Sequence, residues 1–435
     1  MSAILANADV SAALEEAKAL YASARPNSRA VHERARASLP GGNTRTGVFV
    51  DPFPIAWARG EGAYLWDEDG HLCTDFLGEA TAGIYGHNHP AIRRAIETQL
   101  DLGWNYGGHT ALEGEMAELL CQRFPSLERV RFCNSGTEAN MFAVQTARVM
   151  TGRPAVLGFA GCYHGGLLTF TAADNPLNVP IPTVVAPYND AERTAALIDA
   201  HADELAAVIV EPMIGGGGCI PADEAFLRML RERTERHGIV LIFDEVMTSR
   251  LAPGGLQGKY GITPDLTTLG KYIGGGMTAG AFGGRAALME RYDPRQAVPL
   301  QHSGTYNNNV FSLRAGIAGL REVYTPDAAV ALNARGDALR ARLNAVCEGR
   351  ALQVTGIGSM LGFHCVRGPI RSPVDSARGD ARVRELLFFD LLAQGIYTMP
   401  KRGFLSLCLP LSEADLDRLV AALGEFVASR ASLLA

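Results

Sequence analysis

An α/β fold is what the sequence predicts: a mainly parallel sheet with helices on both faces, followed by a smaller α+β domain. Two observations predict it. Short apolar runs recur at residues 130–133, 155–159, 208–210, 239–243 and 266–269, and most are separated by stretches of helical periodicity. Strands that alternate with helices and are apolar throughout belong in a parallel sheet covered on both sides. After about residue 325 the rhythm changes to a long helix (328–346), short strands near Gln353 and Gly362, and an amphipathic helix from Ser412.

The flanking elements follow from local pattern. Residues 1–38 are Ala-rich, with apolar residues at helical spacing and charges between them, so they form a helical lead-in rather than a domain. The run WDEDGHLCTD (66–75) sets an Asp-Gly turn between alternating residues, the pattern of a hairpin near the start of the main domain. The chain is thus expected to divide into an N-terminal segment (1–75) that joins the smaller domain, a large domain (76–325) and a C-terminal part of the smaller domain (326–435).

Composition narrows the function classes. The 435 residues are 47% apolar, enough for more than one folding unit. A formal net charge of -6 gives no basic field to hold a polyanion, which sets nucleic acid aside and favours small-molecule partners. The 8 cysteines stand singly, with no C-x-x-C pair, so neither a zinc site nor a disulfide framework is expected. The first residues carry acids and no long apolar core, unlike a signal peptide or a membrane span, so a cytoplasmic protein without membrane association is expected.

Three stretches carry chemistry. In RFCNSGTEAN (131–140) a strand end, a Ser-Gly-Thr turn and a helix start meet, with Glu138 three residues after Ser135 as in a capping box. The open amides and dipole of such a helix start suit a phosphate, and Gly136 allows close backbone approach. An ordinary capped helix carries the same signature. IVLIFDEV (239–246) is an apolar strand ending in two acids, where α/β proteins place ligands. A buried Asp244 needs a cationic partner, which either a protonated ring nitrogen or a neighbour such as Arg250 would supply. In LTTLGKYIGGG (266–276) Lys271 follows a short apolar strand and precedes three glycines. Burial would lower its pKa and leave a nucleophilic amine for a carbonyl, with room beside it for a planar ring.

The order of these pieces, with CYHG (162–165) and VEP (210–212) between them, resembles the class III pyridoxal-phosphate (PLP)-dependent aminotransferases of fold type I, from about Pro40 to the end of the chain. NSGTEA, YHG, VEP, FDEVMT and LGKYIGGG together are specific to that class. DEVMT and KYIGGG resemble its glutamate-1-semialdehyde aminomutase branch, and TSRLAP, GKYIGGGM, HSGTYNNNV and RGF resemble the enzymes there that act on β-amino acids such as β-phenylalanine. The resemblance implies a large domain with a mainly parallel seven-stranded sheet flanked by helices, a smaller α+β domain, pyridoxal 5'-phosphate as cofactor, and a homodimer with a shared active site.

Carried over residue by residue, the resemblance implies that Lys271 holds PLP as a Schiff base and shuttles the proton, and that Asp244 pairs with the pyridinium nitrogen. It implies that Ser135, Gly136 and Thr137 bind the phosphate, Tyr163 stacks on the ring, Thr305 reaches the phosphate from the neighbouring subunit, and Glu211 and Met247 line the cofactor edge. His164 and His302 are expected as hydrogen-bonded structural histidines near the cofactor, since Lys271 already supplies the base. Arg45 in GGNTRT and Arg402 in KRGF match carboxylate clamps, a task suited to the planar guanidinium fork. Lys401 beside Arg402 departs from the family pattern and leaves open which of the two faces the substrate. Tyr85 and Phe49 are read either as a pocket wall or as core. The implied activity is ping-pong transfer of an amino group from a β-amino acid to 2-oxoglutarate or pyruvate. The alternatives are an aminomutase-type isomerase, a PLP-dependent racemase or decarboxylase, and a non-catalytic dimeric binding protein.

Overall fold

A computed structural model of the chain describes residues 9–171 and 175–435. His89–Asn333 with Arg371–Pro373 form a larger unit; the chain up to Asn88, Ala334–Ile370 and Val374–Ala435 form a smaller one.

The larger unit is built on seven strands: β1 (Arg129–Cys133), β2 (Ala155–Phe159), β3 (Thr183–Ala186), β4 (Leu205–Val210), β5 (Val240–Asp244), β6 (Leu266–Gly270) and β7 (Gly280–Gly284), in the spatial order β1-β7-β6-β5-β4-β2-β3. β5 pairs in parallel with β4 and β6, and β2 with β3 and β4. Only β7 is reversed, running antiparallel to both β6 and β1. Every residue of β2, β4, β5, β6 and β7 is buried. That two-sided burial is why the corresponding sequence runs are apolar throughout instead of alternating.

Two strands are not legible as apolar runs. β3 (TVVA) lies at the sheet edge and keeps two of its residues exposed. β7 (GAFGG) is glycine-rich because the backbone of a neighbour lies against it: a Cβ on Gly280 would sit 2.2 Å from the Ser135 carbonyl oxygen. The strand therefore abuts the turn that opens helix α1 (Gly136–Thr151). That helix buries Ala139, Ala143 and Ala147, four residues apart on one face, together with Asn140 and Val144, and ends on the left-handed Gly152. Helix α2 (Glu224–His237) links β4 to β5, burying Phe226, Leu227, Leu230 and Thr234 before the left-handed Gly238.

The smaller unit is α+β. Its helical lead-in is Val10–Ala24 and Pro26–Arg36. The Asp-Gly hairpin joins Tyr64–Asp67 to Leu72–Asp75, with Gly70 at φ 83°, inside a four-stranded sheet completed by Trp57–Glu61 and Ile396–Tyr397. Gln353–Ile357, Met360–His364 and Phe404–Ser406 make a three-stranded antiparallel sheet. The closing helix Glu413–Ser429 starts at a Ser412/Asp415 capping box and buries Leu416, Leu419, Leu423 and Phe426. Among the described residues no helix is long and apolar enough to cross a membrane.

Candidate active site

Because β1, β2, β4, β5 and β6 run in one direction, their carboxyl ends open on one edge of the sheet, the edge where α/β folds bind ligands. Five of the sequence motifs end there: NSGT after β1, CYHG after β2, VEP after β4, FDEV at the end of β5, and LGK after β6.

Ser135 caps α1, its hydroxyl accepting from the Glu138 amide at 3.2 Å. The Glu138 carboxylate does not close the box on the cap residue; it accepts from the Asn134 amide at 2.9 Å. The amides of Gly136 and Thr137 meet no acceptor among the described residues and remain open at the positive end of the helix. The turn is held closely from two sides. A Cβ on Gly136 would meet Val246 Cγ1 at 2.7 Å, and one on Gly165, at φ +107°, would lie 2.4 Å from Thr137 Oγ1. This bed fits a phosphate group.

Asp244 is 4% exposed and sits in a fixed set of donors. Its Oδ2 accepts from Asn140 Nδ2 at 2.8 Å and from His164 Nδ1 at 2.8 Å. Its Oδ1 accepts from the Val246 amide at 3.0 Å. Thr268 Oγ1 is 3.4 Å from Oδ1 but only 2.6 Å from Asn140 Oδ1, so its single proton goes to the asparagine. One lone pair on Oδ1 thus stays open among the described residues, which fits a protonated ring nitrogen. The adjacent acid, Glu245, points the other way. It accepts from the amides of Leu256 (2.8 Å) and Gln257 (2.9 Å) and from Thr248 Oγ1 (3.0 Å), tying down the chain after β5.

Glu211, at the end of β4, fixes the CYHG loop. Its Oε2 accepts from the Tyr163 amide at 2.9 Å and its Oε1 from the Gly215 amide at 3.1 Å. Burial pushes its carboxyl up to about 7, with Asp244 adding to the rise and His164 opposing it. Half-buried Met247 packs over Gly215, where a Cβ would lie 2.3 Å from Met247 Sδ. Tyr163 leaves 44% of its surface exposed, although its neighbour His164 is fully buried. Nε2 of His164 has no partner among the described residues.

Lys271 is the first residue after β6. It is half-buried and takes a left-handed backbone, φ 57°, at the head of the turn Lys271–Gly274. A non-glycine residue held in that region stores strain of about 1–3 kcal/mol, the kind of outlier that gathers at functional sites.

His302 accepts from Arg131 Nε at 2.9 Å within a ring of Phe142, Phe282 and Tyr292. Burial, helped by the Arg131 charge, lowers its pKa to about 4, so it is neutral. Thr305 is exposed, in the loop ahead of the helix Val310–Ala318. In the smaller unit, Arg45 pairs with Glu79, both half-exposed. Lys401 stands 5.4 Å from the Phe49 ring centroid at φ 61°, and Arg402 follows it, half-buried. Tyr85 is 3% exposed, a core position.

Sequence reasoning missed Asn140 and Thr268, which hold Asp244. A signal existed for each, since both are polar residues inside otherwise apolar patterns: Asn140 on the buried stripe of α1, Thr268 within a fully buried strand.

The aminotransferase class-III family model matches residues 47–401. The chain is 52% identical to the beta-phenylalanine transaminase of Variovorax paradoxus over 99% of both chains. It is 39% identical to the glutamate-1-semialdehyde 2,1-aminomutase of Sorangium cellulosum, over 93% of this chain and 97% of that one. The crystal structure of a beta-phenylalanine aminotransferase from Variovorax paradoxus superposes with a TM-score of 0.96, at 52% identity, covering 98% of this chain and 99% of that one. Matched in family, sequence and fold, the chain belongs to the class III aminotransferases, PLP-dependent transferases of fold type I.

Proposed function

We propose that the protein transfers an amino group from a β-amino acid, aromatic ones such as β-phenylalanine included, to 2-oxoglutarate or pyruvate. The observation that carries this substrate class is the 52% identity with a beta-phenylalanine transaminase across 99% of both chains. PLP, when bound, supplies the electron sink that lets a carbon next to the substrate nitrogen lose its proton.

The chain's own groups divide the remaining work. Lys271 Nζ would hold the cofactor covalently until the substrate amine displaces it, and the lysine amine so freed would accept the proton that the substrate carbon gives up. Asp244 keeps the ring nitrogen protonated through the open lone pair on Oδ1. The amides of Gly136 and Thr137, with the hydroxyls of Ser135 and Thr137, hold the phosphate at the positive end of α1. Tyr163 offers its exposed ring for stacking, and Glu211 fixes the loop that carries it. His164 holds Asp244 rather than acting as a base, and Met247 lines the cofactor edge. Arg45 and Arg402 take the substrate carboxylate, with Lys401 as a second cation beside them.

The functional unit is a homodimer in the cytoplasm, Thr305 completing the phosphate site of the neighbouring copy. What supports the dimer is a run of exposed large apolar side chains in the larger unit, Leu100, Leu102, Trp104 and Tyr106, together with Tyr306.

The test is an amine-donor panel with each keto acid, read by glutamate or alanine formation. Turnover of β-amino acids is expected, and reaction confined to α-amino acids or simple ω-amines would contradict the assignment. The 39% relative named as a 2,1-aminomutase favours a second reading, isomerisation without an external acceptor. Loss of β-phenylalanine that requires added 2-oxoglutarate or pyruvate separates the two.

A further inference from the structure

We propose that Thr268 and Asn140 are positioning residues for Asp244, deciding which of its two carboxylate oxygens is kept open for the cofactor's ring nitrogen. The proposal rests on the reading of Asp244 given under Proposed function.

Proton accounting carries it. The Asn140 amide has two protons: one goes to Asp244 Oδ2 at 2.8 Å and the other to the His164 carbonyl at 3.2 Å. His164 Nδ1 fills the second lone pair of the same Oδ2 at 2.8 Å. Oδ2 is then saturated. Oδ1 holds a single donor, the Val246 amide at 3.0 Å. The orientation of the Asn140 amide decides this asymmetry, because a flipped amide would set its carbonyl against Oδ2. The two acceptors that face the amide nitrogen, Asp244 Oδ2 and the His164 carbonyl, oppose that flip, and Thr268 anchors the other end of the amide. Its hydroxyl donates to Asn140 Oδ1 at 2.6 Å, the shortest contact of the cluster and the one bond made to that oxygen among the described residues.

The fold places these residues together without loop geometry. Thr268 is the register partner of Asp244 across the parallel β5/β6 pair. Asn140 lies on the buried face of α1, one turn after the phosphate-type start. Thr268, Asn140 and Asp244 are 0%, 1% and 4% exposed. A carboxylate buried this deeply is costly unless its oxygens are matched, and Oδ1 carries one donor where Oδ2 carries two, which makes Oδ1 the place for a further donor. Thr268 also lies on the strand that leads into Lys271, so one hydroxyl ties the strand that presents the amine to the carboxylate that serves the ring.

The experiment compares holoenzymes of Thr268→Val, which keeps the shape and removes the donor, Thr268→Ser, which restores the hydroxyl, and Asp244→Asn. Thr268→Ala serves as a second donor-free variant if valine packs poorly. Three quantities are read: the midpoint of the pH titration of the cofactor's visible absorbance, the dissociation constant of PLP from the apo form, and the amine half-reaction with kcat and KM separated. Thr268→Val is expected to move the titration midpoint, to weaken PLP binding severalfold and to slow the half-reaction about tenfold at unchanged KM, the scale of losing an outer-shell partner of a reacting group. Thr268→Ser should return all three towards wild type. Should both donor-free variants keep the wild-type midpoint and half-reaction rate while Asp244→Asn alters both, the positioning role is overturned and the Asp244 reading stands. If Asp244→Asn also alters neither, that reading falls and takes this proposal with it.

Discussion

A carboxylate with two saturated lone pairs on one oxygen and an open one on the other is specific about what it will accept, and Asp244 is in that state. Replacing it by Asn removes the charge that keeps a ring nitrogen protonated but little of the volume. Asp244→Asn should therefore lower kcat on the order of 10²-fold or more while PLP affinity falls only severalfold, as single-turnover rates and PLP titration of the apo protein would show. His302 makes a prediction about pH. Burial, with the Arg131 charge, holds its folded pKa at about 4, below the usual 6.5. Below the higher value the unfolded chain takes up a proton that the folded chain refuses. Its share of stability is thus full above pH 6.5 and is lost as the pH falls through about 4. Urea unfolding of His302→Gln should show a smaller loss over that window than wild type. Lys271 and Asp244 could be singled out in the sequence because each ends an apolar run, where a charged group stands out. Asn140 and Thr268 stand out only as polar residues inside apolar patterns, and what they hold depends on a pairing across three elements that no local pattern encodes.

At the scale of elements, the start of α1 joins the phosphate-type turn to the loop after β2. Gly165 is the contact between them, at φ +107° and with no space for a Cβ against Thr137. Gly165→Ala should destabilise the protein by about 1–3 kcal/mol, from backbone strain and the displaced threonine together, and should weaken PLP binding. Thermal unfolding with and without PLP measures both. The elements also show how far the sequence could be read. Five of the seven strands of the main sheet coincide with apolar runs, and in four of them, β2, β4, β5 and β6, every residue is buried. β3 is hidden by its exposed edge position, and β7 by glycines that are there for close backbone approach, a requirement that in sequence looks like a loop. The capping box at Ser135 was legible only by half: the residue types were right, but the Glu138 carboxylate turns to Asn134 instead of the Ser135 amide.

For the whole molecule, the proposed sharing of the active site between copies would make activity require assembly. Charged substitutions in the exposed apolar run, Leu102→Lys with Tyr306→Glu, should shift the protein to monomer and abolish turnover, as light scattering and donor assays on the same fractions would show. A fully active monomer would contradict the shared site. Arg45 and Arg402 lie in the smaller unit. The carboxylate-clamp role proposed for them rests on resemblance alone, because an arginine in a loop has no local pattern that separates a carboxylate clamp from a surface cation.

The most direct measurement is reduction of the PLP-saturated protein with borohydride, followed by peptide mapping. The account predicts a stable pyridoxyl adduct on the peptide containing Lys271 and on no other lysine. An unmodified Lys271 in protein that had bound a full complement of cofactor would contradict it.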